Sequence, residues 1–81
     1  MNYKEIFELI VNNLREIVPS LENESISYES KLCLLGASSV GRAELIEKTL
    51  EDLKLDVDRF EFHTANNLGE LADMFVQRIS A

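Results

Sequence analysis

Three stretches of this 81-residue chain repeat apolar residues at the three- and four-residue spacing of an amphipathic helix. A long gap, residues 19–38, separates the first from the second. In the first stretch Ile6, Ile10, Leu14 and Ile17 form a stripe that Phe7 and Val18 widen. Asn2 and Glu5 stand at the spacing of a capping box, in which each side chain satisfies the other residue's backbone N–H. Pro19 lacks an N–H and disfavours helical geometry at Val18. A first helix is therefore expected from about Tyr3 to about Ile17.

The gap is long for a connection inside one small domain, where loops above about 12–15 residues usually carry function or order of their own. Leu21, Ile26, Tyr28, Leu32 and Leu34 are available to pin it to the core, and a short turn is expected near Ser30–Cys33. The second helix begins near Ser38 or Ser39. Ile46, Leu50 and Leu53 form its stripe, with Leu45 and Thr49 beside it. Glu44 and Lys48 have the favourable i,i+4 order for a surface pair. Residues 54–66 are irregular, with Val57, Phe60 and Phe62 as apolar anchors, and a short third helix fits over Asp58–Phe62. Asn67 and Glu70 repeat the capping-box spacing, and Leu68, Leu71, Ala72, Phe75 and Ile79 give a last helix ending near the C-terminus. The expected fold is all-α: a single domain over 1–81, a small four-helix bundle of three main helices and a short third one, with a long loop between helices I and II. No internal repeat or low-complexity segment interrupts it.

Composition excludes several functions. A hydrophobic content of 46% belongs to a globular chain. Acidic residues outnumber basic ones 15 to 8, a formal net charge of −7. Binding a phosphate backbone requires a basic surface, so nucleic acid is not expected as a partner, whereas proteins with basic patches are. No run is long and apolar enough to span a membrane. The opening "MNYKEIFELIV" mixes charge with apolar residues and lacks a small-residue cleavage site, so it reads as part of the fold and not as a signal peptide. Cys33 is the only cysteine, which rules out an internal disulfide, and a reducing cytoplasm is the expected compartment. One cysteine and one histidine, His63, give no metal-ligand spacing.

What remains is "LLGASSVGRAELI", Leu34–Ile46. A serine nucleophile elbow needs Gly-x-Ser-x-Gly. Ser38 has Gly36 before it but Val40 after it; Ser39 has Gly41 after it but Ala37 before it. Neither fits, and a chain of this size has little wall from which to build a substrate cleft. Helix capping accounts for one serine, but not for two, nor for the glycine ahead of them, nor for the acidic helix that follows. A third reading is covalent attachment. A serine at a helix N-terminus is accessible, and the positive end of the helix dipole favours a phosphate-linked group.

"LGASSVGRAELIEKTLEDL" resembles the "LGxDSL…EL…LE" signature of acyl carrier proteins. Leu35 and Gly36 match, Ser39 falls on the modified serine, and Val40 replaces the leucine. Glu44, Leu45, Leu50 and Glu51 stand where that family's second helix carries acidic and apolar residues. Ser38 departs from the pattern, since most carriers have aspartate there. A narrower resemblance is to the free-standing carriers of β-branching cassettes in polyketide synthase pathways, which read "GANSV.RAE" and later "NIGELAD". This chain has "GASSVGRAE" and "NNLGELADMF". The resemblance implies a non-catalytic monomer bearing 4′-phosphopantetheine on Ser39, with no metal, that presents an acetyl thioester. It implies as partners a phosphopantetheinyl transferase, an acyltransferase, a decarboxylating ketosynthase-like enzyme and an HMG-CoA-synthase-like enzyme.

Around Ser39 the expected partner surface comprises Ser38, Val40, Gly41, Arg42, Ala43, Glu44, Glu47, Glu51 and Arg59. Arg42 and Ala43, three and four residues on, share the face of Ser39. Glu44, Glu47 and Glu51 make an acidic ridge that serves either solvation or docking. Arg42 either tunes partner choice or pairs with a carboxylate of its own helix. Leu45, Ile46 and Leu53 read as core, and no large acyl cavity is expected. The alternatives are a fatty-acid or chain-extending carrier, or an unmodified acidic helical interaction domain.

Overall fold

The computed structural model describes residues 2–23, 25–30, 39–62 and 64–80. Among them it has three α-helices, α1 (Tyr3–Ile17), α2 (Ser39–Leu53) and α3 (Leu68–Ser80), with 3₁₀ turns at Pro19–Leu21 and Arg59–Phe62. No β-strand forms among these residues. The all-helical reading therefore holds, and each main helix lies where its stripe and cap placed it.

The capping box of α1 is complete: Asn2 Oδ1 accepts from Glu5 N at 2.9 Å, and Glu5 Oε1 accepts from Asn2 N at 3.1 Å. The helix buries Ile6, Phe7, Ile10, Val11 and Leu14 against α2 and α3. From α2 come Leu45, Ile46 and Leu50, and from α3 come Leu68, Leu71, Ala72 and Phe75. Phe62 joins them from the second 3₁₀ turn, its ring stacked on Phe75 with centroids 4.4 Å apart. Each Leu, Ile, Val or Phe side chain among these contributes roughly 1.5–3 kcal/mol when fully buried.

Two polar residues lie in this core, Asn13 and Thr49. Asn13 Nδ2 donates to Thr49 Oγ1 at 3.2 Å and to Asp52 Oδ2 at 3.0 Å, and Thr49 Oγ1 donates to the Leu45 carbonyl at 2.8 Å. The hydrogen bonds fix the contact of α1 with α2 at no cost in unsatisfied groups. Lys48 pairs with Glu16 of α1, across the helices, and not with Glu44 as the i,i+4 spacing predicts.

Helix α2 ends in a Schellman arrangement. Leu55 N donates to the Leu50 carbonyl and Lys54 N to that of Glu51, with Lys54 at φ 54°. Beyond it, Leu55 and Val57 lie partly buried on the core, and the short third helix is a 3₁₀ turn over Arg59–Phe62. Phe60 is not the anchor the sequence predicts: it is 64% exposed, whereas Phe62 is fully buried. With three residues per 3₁₀ turn, positions two apart point to different sides, and Phe62 takes the place in the core.

Residues 19–23 and 25–30 of the long connection are held in part by their own turns and in part by α3. Leu21 is buried in the first 3₁₀ turn, an element that the apolar spacing does not announce. Ser30 N donates to the Ser27 carbonyl, closing a turn over 27–30. The Tyr28 ring packs on Phe7 at 4.3 Å and on Tyr3 at 5.5 Å. The Ser30 carbonyl then accepts from Leu68 N at 3.1 Å and the Tyr28 carbonyl from Gly69 N at 2.7 Å. Asn67 Oδ1 takes the next donor, Glu70 N, at 2.8 Å. The first donors of α3, which have no partner within their own helix, are thus met by the loop and the cap. The turn expected near Ser30–Cys33 extends into residues outside those described, as do Leu32, Leu34 and His63.

Candidate functional site at the start of the second helix

Ser39 is the first residue of α2. Its side chain, that of Val40, and all of Ser38 lie outside the described residues. The first turn of α2 contains no acidic residue. It differs in this from α1, which has Glu5 there, and α3, which has Glu70. The positive end of the α2 dipole is therefore not offset by a carboxylate of its own turn, which suits an attached anion.

Arg42 follows one turn on. Helical spacing puts it in one stripe with Leu45, Ile46, Thr49 and Leu53, the inward side of α2, and it is half-buried. Its Nη2 donates to the backbone carbonyl of Ala65. Where the core thins out at the head of α2, a guanidinium thus ties the helix to the segment leading into α3. Beside the carboxylate of its own helix that the sequence offers Arg42, the structure gives it this carbonyl. No signal in the sequence identifies a main-chain acceptor 23 residues away.

The acidic ridge faces solvent: Glu44, Glu47 and Glu51 are all exposed. Glu47 Oε1 accepts from Arg59 Nη1 at 2.5 Å, so the ridge is bridged to the second 3₁₀ turn. The Arg59 guanidinium also stands over the Phe60 ring, 4.9 Å from its centre. Gly41 and Ala43 are half-exposed beside them. The structure thus brings Arg42, Ala43, Glu47 and Arg59 around the head and outer face of α2. It adds Phe60, an apolar anchor by sequence but exposed in the structure. Glu44 and Glu51 continue the same outer face.

No three His, Cys, Asp or Glu side chains among the described residues are grouped to hold a metal ion, and no helix there is long and apolar enough to cross a membrane. A surface depression lined by Asn12, Arg15, Glu16 and Glu22 is open and polar, the opposite of an acyl-chain tunnel.

A small helical bundle with a serine heading its acidic second helix is the architecture of a carrier domain. The comparisons with known proteins agree. No family model matches the chain. A polyketide biosynthesis acyl-carrier protein, AcpK of Bacillus subtilis (strain 168), is 38% identical over all 81 residues, covering 99% of that protein. A solved chain from the complex of the curacin biosynthetic pathway HMG synthase with its acetyl donor ACP superposes with a TM-score of 0.92 at 40% identity. The match covers 95% of this chain and 99% of that one. This chain belongs to the acyl carrier proteins.

Proposed function

We propose that this carrier holds its acyl group on a 4′-phosphopantetheine arm attached to Ser39, and that it is the acetyl donor to an HMG-synthase-type enzyme in polyketide β-branching. The observation that carries the reading is Ser39 as the opening residue of α2, in a turn with no acidic side chain. When bound, the arm supplies a terminal thiol that holds the acetyl group as a thioester. The chain's own residues supply the rest. The Ser39 hydroxyl is the point of attachment. The positive end of the α2 dipole favours the phosphodiester charge. Arg42, braced on Ala65, holds the head of α2 in place beside it. The outer face with Glu44 and Glu51 meets the partner enzyme and determines which enzyme docks.

The domain, 1–81 as a single unit, catalyses nothing alone. Tethering raises the local concentration of the acyl group at a docked enzyme. The reading calls for a phosphopantetheinyl transferase, an acyltransferase and a decarboxylating ketosynthase-like enzyme as further partners, and for a monomer in the cytoplasm. The likeness to a carrier solved with an HMG synthase supports the donor role over a chain-extending one.

The test is intact-mass analysis after incubation with coenzyme A and a phosphopantetheinyl transferase. Wild type is expected to gain one arm. Ser39→Ala is expected to gain none while keeping its helical circular dichroism. Full loading of Ser39→Ala would move the site elsewhere.

A further inference from the structure

We infer that Phe60 is the apolar anchor by which the acetyl-accepting enzyme, of the HMG-synthase type, seats this carrier; the inference rests on the donor reading above.

The second 3₁₀ turn is held on three sides. Phe62 is stacked on Phe75 in the core, Glu61 pairs with Arg78 of α3, and Arg59 pairs with Glu47 of α2. Asp58 Oδ1 accepts from Phe60 N at 3.0 Å, which fixes the entry to the turn. A turn so constrained nevertheless presents a phenyl ring that is 64% exposed, the most exposed large apolar side chain among the described residues. Tyr28, the next, rests on Phe7 and Tyr3. A rigid exposed aromatic gives up little conformational freedom on binding, and aromatic residues dominate interface hot spots.

Position and charge identify what covers it. Glu47, which holds Arg59, lies about two turns along α2 from Ser39, so Phe60 lies beside the helix whose head an enzyme must approach to receive the arm. The charges on both sequence neighbours are already compensated, Arg59 by Glu47 and Glu61 by Arg78. Contact at this point is therefore apolar, next to a ridge where Glu44 and Glu51 offer ionic contact. The complementary surface is an apolar pocket on the enzyme with cations to one side. The two contributions differ in their response to salt, because exposed charge pairs are screened and apolar burial is not.

The test is calorimetric titration of the unloaded full-length carrier against an HMG-synthase-type enzyme, at low and high salt, alongside acetyl transfer from the loaded carrier. Phe60→Ala is expected to weaken binding by about tenfold or more, as hot-spot truncations do, with the loss persisting at high salt. Phe60→Leu should recover part of it. Circular dichroism should be unchanged, because the ring lies outside the core. Equal affinity for wild type and Phe60→Ala overturns the inference, as does absence of wild-type binding. Sedimentation covers the other occupant: a wild-type dimer that Phe60→Ala dissociates would assign the ring to a second copy and overturn docking. Failure of wild type to load at Ser39 would count against the donor reading, while the titration on the unloaded chain still decides on Phe60.

Discussion

Tyr3 shows how one hydroxyl joins separate parts of the chain. Its Oη donates to the Gly69 carbonyl at 2.9 Å, linking the start of α1 to the start of α3. Burial, and then electrostatic interaction with Tyr28 and Asp73, push its phenol above the ordinary 10.0. Folding thus favours the neutral form. The stabilisation is fully present below pH 10.0 and is lost as pH rises through the raised folded value. Lys48 has the same sign. Its hydrogen bond to Glu16 raises the ammonium above 10.5, so its part too disappears on the alkaline side. Tyr3→Phe removes the hydroxyl and the hydrogen bond together, which should cost about 0.5–1.5 kcal/mol at neutral pH. Above pH 10.0 the gap between variant and wild type should narrow, because only wild type still has the Tyr3 phenol to ionise. Urea unfolding on both sides of that pH measures it; a constant gap would show that the phenol's ionisation is not linked to folding.

At the scale of elements, what the sequence shows is what is local. The boundaries of α1, α2 and α3 follow from Asn2, Pro19, Asn67 and the apolar stripes, each acting within a turn or two of itself. What it hides is non-local. Lys48 has Glu44 at the preferred spacing but meets Glu16 of another helix. Arg42 is bound by a main-chain carbonyl, which every residue type has. Phe60 and Phe62 are alike in sequence, and only the packing of Phe75 tells them apart. The run around Ser39 was legible as a carrier motif through its resemblance to a short family signature, because such a signature lies within a few consecutive residues. The end of α2 gives a prediction of this class. Lys54 is the non-glycine residue with positive φ among those described, and it occupies the position where helices favour glycine. The left-handed conformation costs an L-residue roughly 1–2 kcal/mol, part of which glycine gives back through its freer unfolded chain. Lys54→Gly should therefore stabilise by a few tenths to about 1 kcal/mol, whereas Lys54→Ala keeps its Cβ and should not. Thermal unfolding of the two variants side by side decides it, and equal midpoints would rule out backbone strain at this residue.

The whole molecule is closed by a junction at Gly69, where α1, the long connection and α3 meet. Tyr3 comes from the first, the Tyr28 carbonyl from the second, and Gly69 donates to one and accepts from the other. A Cβ on Gly69 would lie 2.9 Å from the Tyr28 carbonyl oxygen, 3.1 Å from the Tyr3 hydroxyl and 3.2 Å from the Tyr28 Cβ. The nearest of these is backbone, held by a 2.7 Å hydrogen bond from Gly69 itself, so it cannot retreat without breaking that bond. Two effects oppose each other in Gly69→Ala. Alanine is better than glycine inside a helix by about 0.8–1.0 kcal/mol. Against this, overpacking a closed site typically costs about 1–3 kcal/mol, and displacing the loop would add the loss of the Gly69–Tyr28 bond at about 0.5–1.5 kcal/mol. The second group outweighs the first, so Gly69→Ala should destabilise, by about 1–3 kcal/mol net. In a domain of this size each kcal/mol moves the melting temperature by roughly 4–8 °C. Because the connection that leaves Tyr28 runs on to Ser39, the same substitution should raise amide exchange at residues 25–30 more than in the middle of α2. A melting temperature equal to or above wild type would mean that the junction yields freely and that helix propensity governs this glycine.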